Sequence, residues 1–241
     1  MIVVVPAAPP RAGPLDSLTE RTPLSTADAR RLYEAALRDV CRAVLDSGGE
    51  LLVNHRDGET LPEAGEDPEG ELRELLEGVG SLDDVRFERQ VGSTRAARVG
   101  NTVTHLLERE DARSVGVLEP TASLVTRSDV DGAAMSTRRN DLVLGATGEG
   151  GVFLACFVEP IEFDGAYRPP ALATLAERAA AAGRRVGLAP RVPTVASPAG
   201  LRATVAEIGA REAAGLPIPE ATASVVTDVG LSVGPDGELA I

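Results

Sequence analysis

Apolar positions along this chain alternate between strand-like runs and helix-like spacing. Ile2 to Val5 is an unbroken β-branched run ended by Pro6, the pattern of a strand buried on both faces. A Pro-rich stretch follows to Pro23. Ser25 then stands three residues before Asp28, a capping-box-like start. Ala29, Leu32, Tyr33, Ala36, Leu37, Val40, Cys41, Val44 and Leu45 recur at three and four, which predicts an amphipathic helix stopped by Gly48-Gly49. Leu51 to Val53 predicts the next strand. An acidic loop from Asp57 to Asp67 precedes Pro68, which sits at a first helical position before Leu72, Leu75, Leu76 and Val79.

The alternation continues to the end of the chain. Strands are expected at Val85 to Phe87, Val115 to Leu118, Leu142 to Leu144 and Val186 to Leu188. Val152 to Val158 is nearly all apolar and reads as a central strand. Helices are expected over Ala96 to Glu108, weakly over Ser128 to Ser136, over Ala171 to Ala182, and from Pro198 to Ala210. In the tail, Val225 to Val233 and Glu238 to Ile241 read as strands about the turn Gly234-Pro235-Asp236-Gly237. An isolated hairpin is marginal in water, so this one is expected to cover a sheet edge or form a subunit contact, burying Val226 or Leu231. Strands alternating with helices imply βα units and a largely parallel sheet. The expected organisation is one α/β domain over 1–211 and a C-terminal hairpin appendage over 212–241.

Composition narrows the classes of function. The chain has 241 residues, enough for one substantial core. Aromatics are only 2%, so that core must be built from Val, Leu, Ala and Ile. No apolar run approaches the roughly 18 residues of a membrane span. The start, MIVVVPAAPP, lacks a basic leader and reads as a strand rather than a signal peptide, which makes the cytoplasm the expected location. Cys41 and Cys156 form no disulfide framework or metal spacing; both read as buried hydrophobes. Acids number 37 against 24 bases, for a net charge of -13, and every base is Arg. Such a surface repels nucleic acid and anionic membranes, so neither is expected as a partner. Acid excess, absent Lys and abundant Ala, Val, Gly and Thr resemble proteins of extreme halophiles, in which dense carboxylates hold water in concentrated salt. A GC-rich genome alone would explain Arg over Lys but not the net charge.

In an open α/β sheet, ligands bind outside the carboxyl ends of the strands. Three loops qualify: Ala7 to Leu24 with Arg11, Gly13 and Arg21; Glu119 to Ser123; and Ala146 to Gly151 with Glu149. His55 and His105 have no partner legible in the sequence, and neither reads as a general base.

The order of these pieces resembles the GT-A superfamily of nucleotidyltransferases and nucleotide-sugar glycosyltransferases. Within it the chain is similar to the radical-SAM/selenodomain-associated transferase-like proteins and, next to them, the 2-phospho-lactate guanylyltransferases. Leu24 to Tyr33 is similar to the "LSPEEAAxLY" helix start of that branch. Gln90 to Thr104, with Gly92 and Arg98, is similar to its "QxGxxLGxRLxxAF" helix. Asp141 to Gly145 followed by Glu149 to Leu154 resembles "DVVLGPAxDGGYxLxG", and Ser197 to Leu201 resembles the "DVDTPxDL" ending. The match runs in order over roughly residues 1–210 and leaves the tail uncovered. It implies a GT-A-like three-layer α/β sandwich with a mostly parallel mixed sheet. It also implies a nucleotide or nucleotide sugar as ligand and, in an active member, Mg²⁺ or Mn²⁺ as cofactor.

At the chemical positions this sequence departs from the branch. The "KTRLxPxL" window reads Ser17 to Leu24, without Lys and with Arg21 two positions from the expected Arg. In place of the metal-binding Asp of "GTDCPxL" stands Pro120, with Glu119 the nearby carboxylate. Both acids of "DVDTP" are replaced, by Thr194 and Ala196, and "DGG" reads Glu149-Gly150-Gly151. The resemblance therefore offers Arg11, Arg21, Arg98, Gly150 and Gly151 for the nucleotide, and Glu119 and Glu149 for a metal. The bland readings are surface ion pairs for Arg11 and Arg21, a solvated helix charge for Arg98, a turn residue for Glu119, and a strand start for the two glycines. Loss of several independent groups favours a degenerate, non-catalytic site. The alternative is an active nucleotidyl- or glycosyltransferase with relocated metal ligands. No catalytic residue is assigned, and homo-oligomer formation is left open.

Overall fold

The computed structural model describes residues 1–57 and 67–241 of the chain. The elements run β1 (Ile2–Ala7), α1 (Thr26–Leu45), β2 (Glu50–His55), α2 (Pro68–Leu76), β3 (Arg86–Arg89), α3 (Arg95–Glu108) and β4 (Val115–Leu118). They continue through α4 (Arg127–Ser136), β5 (Leu142–Ala146), β6 (Val152–Phe157), α5 (Ala171–Ala181), β7 (Val186–Ala189), α6 (Pro198–Ala213), α7 (Glu220–Val229), β8 (Ser232–Val233) and β9 (Leu239–Ala240). Two short 3-10 turns, Pro10–Ala12 and Asp16–Leu18, shape the loop after β1. Most of the acidic loop expected over Asp57 to Asp67 lies outside the described residues.

Seven strands form one sheet in the order β3-β2-β1-β4-β6-β5-β7. β6 runs antiparallel to both β4 and β5, and the other pairings are parallel. The apolar run of β6 is thus explained: the strand is buried along its whole length between two neighbours. β1 shows how both faces are covered. Val3 and Val5 join a cluster with Leu37, Val40 and Leu201, on the side of α1 and α6. Ile2 and Val4 join a second cluster with Val99, Val103 and Leu175, on the side of α3 and α5. A parallel sheet buried on both faces needs such helices on each side, and three layers result.

Local capping sets where helices begin. Ser25 accepts the Asp28 N–H at 3.1 Å, and Thr126 and Asp129 form a reciprocal capping box at the head of α4. Tyr33, buried in α1, ties its hydroxyl to Ala8, 3.0 Å from the N–H and 3.1 Å from the carbonyl oxygen. This bond fixes the chain as it leaves the carboxyl end of β1, at the floor of the cleft described below.

The tail departs from expectation. Residues 220–229 are helical rather than extended, although Val225, Val226 and Val229 are β-branched. Pro219 precedes the helix, Gly230 closes it at φ 74°, and Ala223 and Val226 pack into the core cluster shared with α1. Tertiary packing overrides a weak local preference here. The hairpin about Gly234 to Gly237 forms, but with two residues in each strand. It does not pair into the seven-stranded sheet. It is tied to α6, where Arg202 donates to the Gly237 carbonyl at 3.0 Å. Val226 and Leu231 are buried, at 8% and 5% exposure.

Candidate nucleotide cleft

Two adjacent cavities open at the carboxyl ends of the parallel strands. The first, about 150 Å³, lies between the ends of β1 and β2 and the first turns of α3. Its polar wall is set by Asn54, Gln90 and Thr102. Gln90 donates to the Asn54 carbonyl at 2.6 Å, and the buried Asn54 amide donates to the Glu88 carbonyl at 3.2 Å. The Thr102 hydroxyl lies 3.2 Å from Asn54 Oδ1. At about 150 Å³ the space is the size of a single six-membered ring.

Arg56, Arg95 and Arg98 also line the first cavity. Arg95 and Arg98 occupy the first turns of α3, a segment with no acidic residue in its first turn. Cations at a helix N-terminus oppose the macrodipole at a cost of about 0.3–1 kcal/mol each. Partial burial lowers the proton affinity of Arg98, and the like charges of Arg56 and Arg95 lower it further. Arg95 and Arg98 are therefore held where helix geometry disfavours cations, with Arg56 from the end of β2 lining the same cavity, in a chain of net charge -13.

The second cavity, about 320 Å³, shares Arg95 with the first. Glu119, Thr121, Glu149, Tyr167, Thr194 and Ser197 line it. The loop from β5 to β6 is pinched by Thr147, whose N–H donates to the Gly151 carbonyl at 2.9 Å and whose hydroxyl accepts the Gly151 N–H at 3.1 Å. Gly150 adopts φ 76°, a left-handed conformation that favours glycine, and its carbonyl accepts from Leu172 at 3.1 Å. Arg95 pairs with Glu119, and its guanidinium carbon sits 5.1 Å from the Tyr167 ring centroid. Burial pushes the Tyr167 phenol up to about 12, and its hydroxyl has no hydrogen-bond partner among the described residues. Ser197 donates to Glu149.

The residues singled out in the sequence are divided by this geometry. Glu119, Glu149, Gly150 and Gly151 come together around the second cavity, and Arg98 lines the first. Arg11 turns away toward α2, where its Nε donates to both Glu71 carboxylate oxygens at 2.8 and 2.9 Å. Arg21 is exposed and lines neither cavity. Arg56, Arg95 and Tyr167 were not singled out. Arg95 and Arg98 carry a readable signal, two cations opening a helix where acids normally stand. Tyr167 carries none in its local pattern.

The two carboxylates offered for a metal are each engaged within the protein. Glu119 is held by Arg95 and Glu149 by the Ser197 hydroxyl. Among the described residues no group of three or more His, Cys, Asp and Glu side chains is arranged to hold a metal ion. No helix among those residues is long and apolar enough to cross a membrane.

No protein-family model and no curated protein matches this chain. Solved structures do. A protein described as a nucleotide-diphospho-sugar transferase from Desulfovibrio desulfuricans G20 superposes with a TM-score of 0.67 at 14% identity, over 85% of each chain. A cytidylyltransferase from Leptospira borgpetersenii serovar Hardjo-bovis superposes with a TM-score of 0.50 at 9% identity, over 95% of this chain and 94% of that one. Identities this low carry the architecture and no more: the chain has the nucleotide-diphospho-sugar transferase fold, a GT-A-like α/β sandwich with a mixed, mostly parallel sheet.

Proposed function

We propose that this chain binds a nucleotide or nucleotide sugar across the two cavities, as a transferase-like protein whose metal and transfer site is degenerate. The first cavity takes the base, against Asn54, Gln90 and Thr102. Arg95 and Arg98, with Arg56 behind them, receive the phosphates. The loop Glu149-Gly150-Gly151 faces the remainder of the ligand in the second cavity. The convergence of three arginines on one cleft in an acidic chain carries this reading.

Degeneracy rests on what surrounds the carboxylates. Pro120, Thr194 and Ala196 stand where the resembling branch carries acids. Glu119 is neutralised by Arg95 rather than poised for a cation. Phosphoryl chemistry relies on charge stabilisation, and loss of one strong contact costs about 10²–10³ in rate. An active transferase is the second reading, favoured by one observation: Glu119 and Glu149 line the same cavity. It would require both to leave their present partners.

The test is incubation with GTP, CTP or nucleotide sugars, candidate acceptors and Mn²⁺ in molar KCl. Nucleotides should raise the thermal midpoint without turnover, since a ligand that binds only the folded state stabilises it. Turnover above about 1 s⁻¹ that disappears in Glu119→Gln or Glu149→Gln would overturn the non-catalytic reading. The acid excess belongs to the same proposal, as an adaptation of a cytoplasmic protein to concentrated salt.

A further inference from the structure

We propose a second ligand site, for a small carboxylate on a compact apolar body. A cavity of about 200 Å³ lies between the last turns of α1, the turn that leads into α4, and the link from α6 to α7. A space of about 150 Å³ is the size of a six-membered ring, so this one has the dimensions of a small molecule. It shares no lining residue with either cleft cavity, and the proposal does not depend on how that cleft is read.

The site is marked by buried hydrogen-bond donors that meet no acceptor. Val125 donates its N–H to the Ala122 carbonyl at 2.9 Å, which makes Ser123 and Leu124 the central residues of a tight turn. Both line the cavity, and each is only 2% exposed. Neither the Ser123 N–H nor the Leu124 N–H meets an acceptor among the described residues. The Ser123 hydroxyl is buried and likewise has no partner among those residues. Buried backbone donors are nearly always paired, and an unpaired hydroxyl shut away from water is costly unless a bound molecule accepts from it. Successive N–H groups in a turn make an anion-binding concavity. The head of α4 does not use these donors, because the reciprocal bonds of Thr126 and Asp129 close it.

The rest of the wall selects among oxyanions. Leu124, Pro217 and Ile218 supply apolar surface for the body of the ligand. The arginines of the wall are already engaged: Arg211 with Glu207 at 2.6 Å, Arg127 with Asp131 at 3.6 Å, and Arg42 with the Gly78 carbonyl at 3.3 Å. The turn, and not a free cation, therefore defines the site. Asp39 is committed to the N–H groups of Ala221 and Thr222. Asp46 and Glu220 stand exposed in the wall and repel a second negative charge. A singly charged carboxylate fits this balance better than a phosphate dianion.

The experiment is calorimetric titration of the full chain with benzoate, benzamide, acetate and phenyl phosphate. It is run at the lowest KCl concentration that keeps the circular dichroism spectrum native. Benzoate should bind in the millimolar range or tighter. It should bind about tenfold more tightly than benzamide, which lacks the charge, or acetate, which lacks the body, and more tightly than phenyl phosphate. Ser123→Ala should weaken benzoate severalfold. The same variant should leave the urea midpoint of the ligand-free protein unchanged or raised, since an unpartnered hydroxyl adds no stability. Pro217→Glu, at an exposed position, adds a carboxylate to the wall and should also weaken benzoate severalfold. It keeps the test open if Ser123→Ala fails to fold. The charge-matched control Ala181→Glu on α5 and the cleft variant Arg98→Gln should bind as the wild type does. No benzoate binding at about 10 mM, benzamide, acetate or phenyl phosphate binding as tightly, a lowered midpoint in Ser123→Ala, or an equal loss in either control would overturn the proposal.

Discussion

Arg95 donates to Glu119 across the wall that the two cleft cavities share. The pair holds the guanidinium at the junction and places a carboxylate in competition with any ligand phosphate for it. Glu119→Gln removes that competitor and one negative charge. Nucleotide affinity is therefore expected to rise, by about threefold to tenfold. Titration of wild type and variant with the same nucleotide measures it. A weakened affinity together with a lost response to Mn²⁺ would instead make Glu119 a metal ligand and favour the active transferase.

Asp39 anchors the tail. Its carboxylate, on the buried side of α1, accepts the Ala221 N–H at 3.0 Å, the Thr222 N–H at 2.7 Å and the Thr222 hydroxyl at 2.6 Å. Burial pushes its proton affinity up, against the pull of those donors. Asp39→Ala would strand donors at the head of α7, with an expected cost of about 2–3 kcal/mol in urea unfolding. A change within about 0.5 kcal/mol, the size of ordinary surface substitutions, would show that α7 is held by apolar packing alone.

Acid sensitivity should trace in part to Glu110. Its carboxyl is held below the usual range, first by the hydrogen bond from Arg86 and then by the nearby charges. A depressed folded value means that the unfolded chain binds more protons as the pH falls past the ordinary Glu range. The stabilisation is therefore complete above that range and is lost as pH falls through the folded value. Arg86→Gln should begin to unfold at higher pH than wild type. The difference at neutral pH should stay within about 0.2–1 kcal/mol, because the pair is partly exposed and screened. Urea unfolding repeated at falling pH checks this. A gap between the two proteins that widens below the Glu range would contradict it.

The charge balance predicts a response to salt. With a net charge of -13, self-repulsion destabilises the fold when screening is removed. Thermal midpoints should rise steeply from low to multimolar KCl. A flat or falling series would remove the halophilic reading.

Much of the architecture was legible because its signals are local. Ser25 before Asp28, the spacing from Ala29 to Leu45, and the apolar run from Val152 each specify an element through neighbours in sequence. The tail misled for the same reason. Val225 and Val226 favour a strand locally, but the face that α1 offers them is set by residues far away in the chain. The cleft divides along the same line. Glu149-Gly150-Gly151 sits in a short loop between adjacent strands, so its place at the strand ends followed from the pattern. Arg11 lies in a long loop whose path is decided by its pairing with Glu71 on α2, and no local pattern reveals that partner. Tyr167 reaches the second cavity from the connection before α5, again through tertiary structure.

The arginines of α3 are proposed to hold a nucleotide. The decisive experiment is calorimetric titration of wild type, Arg95→Gln and Arg98→Gln with a panel of nucleotides and nucleotide sugars, in KCl that keeps the fold intact. Wild type should show saturable one-to-one binding that weakens by about tenfold or more in either variant, as the loss of a charge-assisted contact requires. Absence of binding to wild type at about 1 mM nucleotide, or equal affinity in all three proteins, would contradict it.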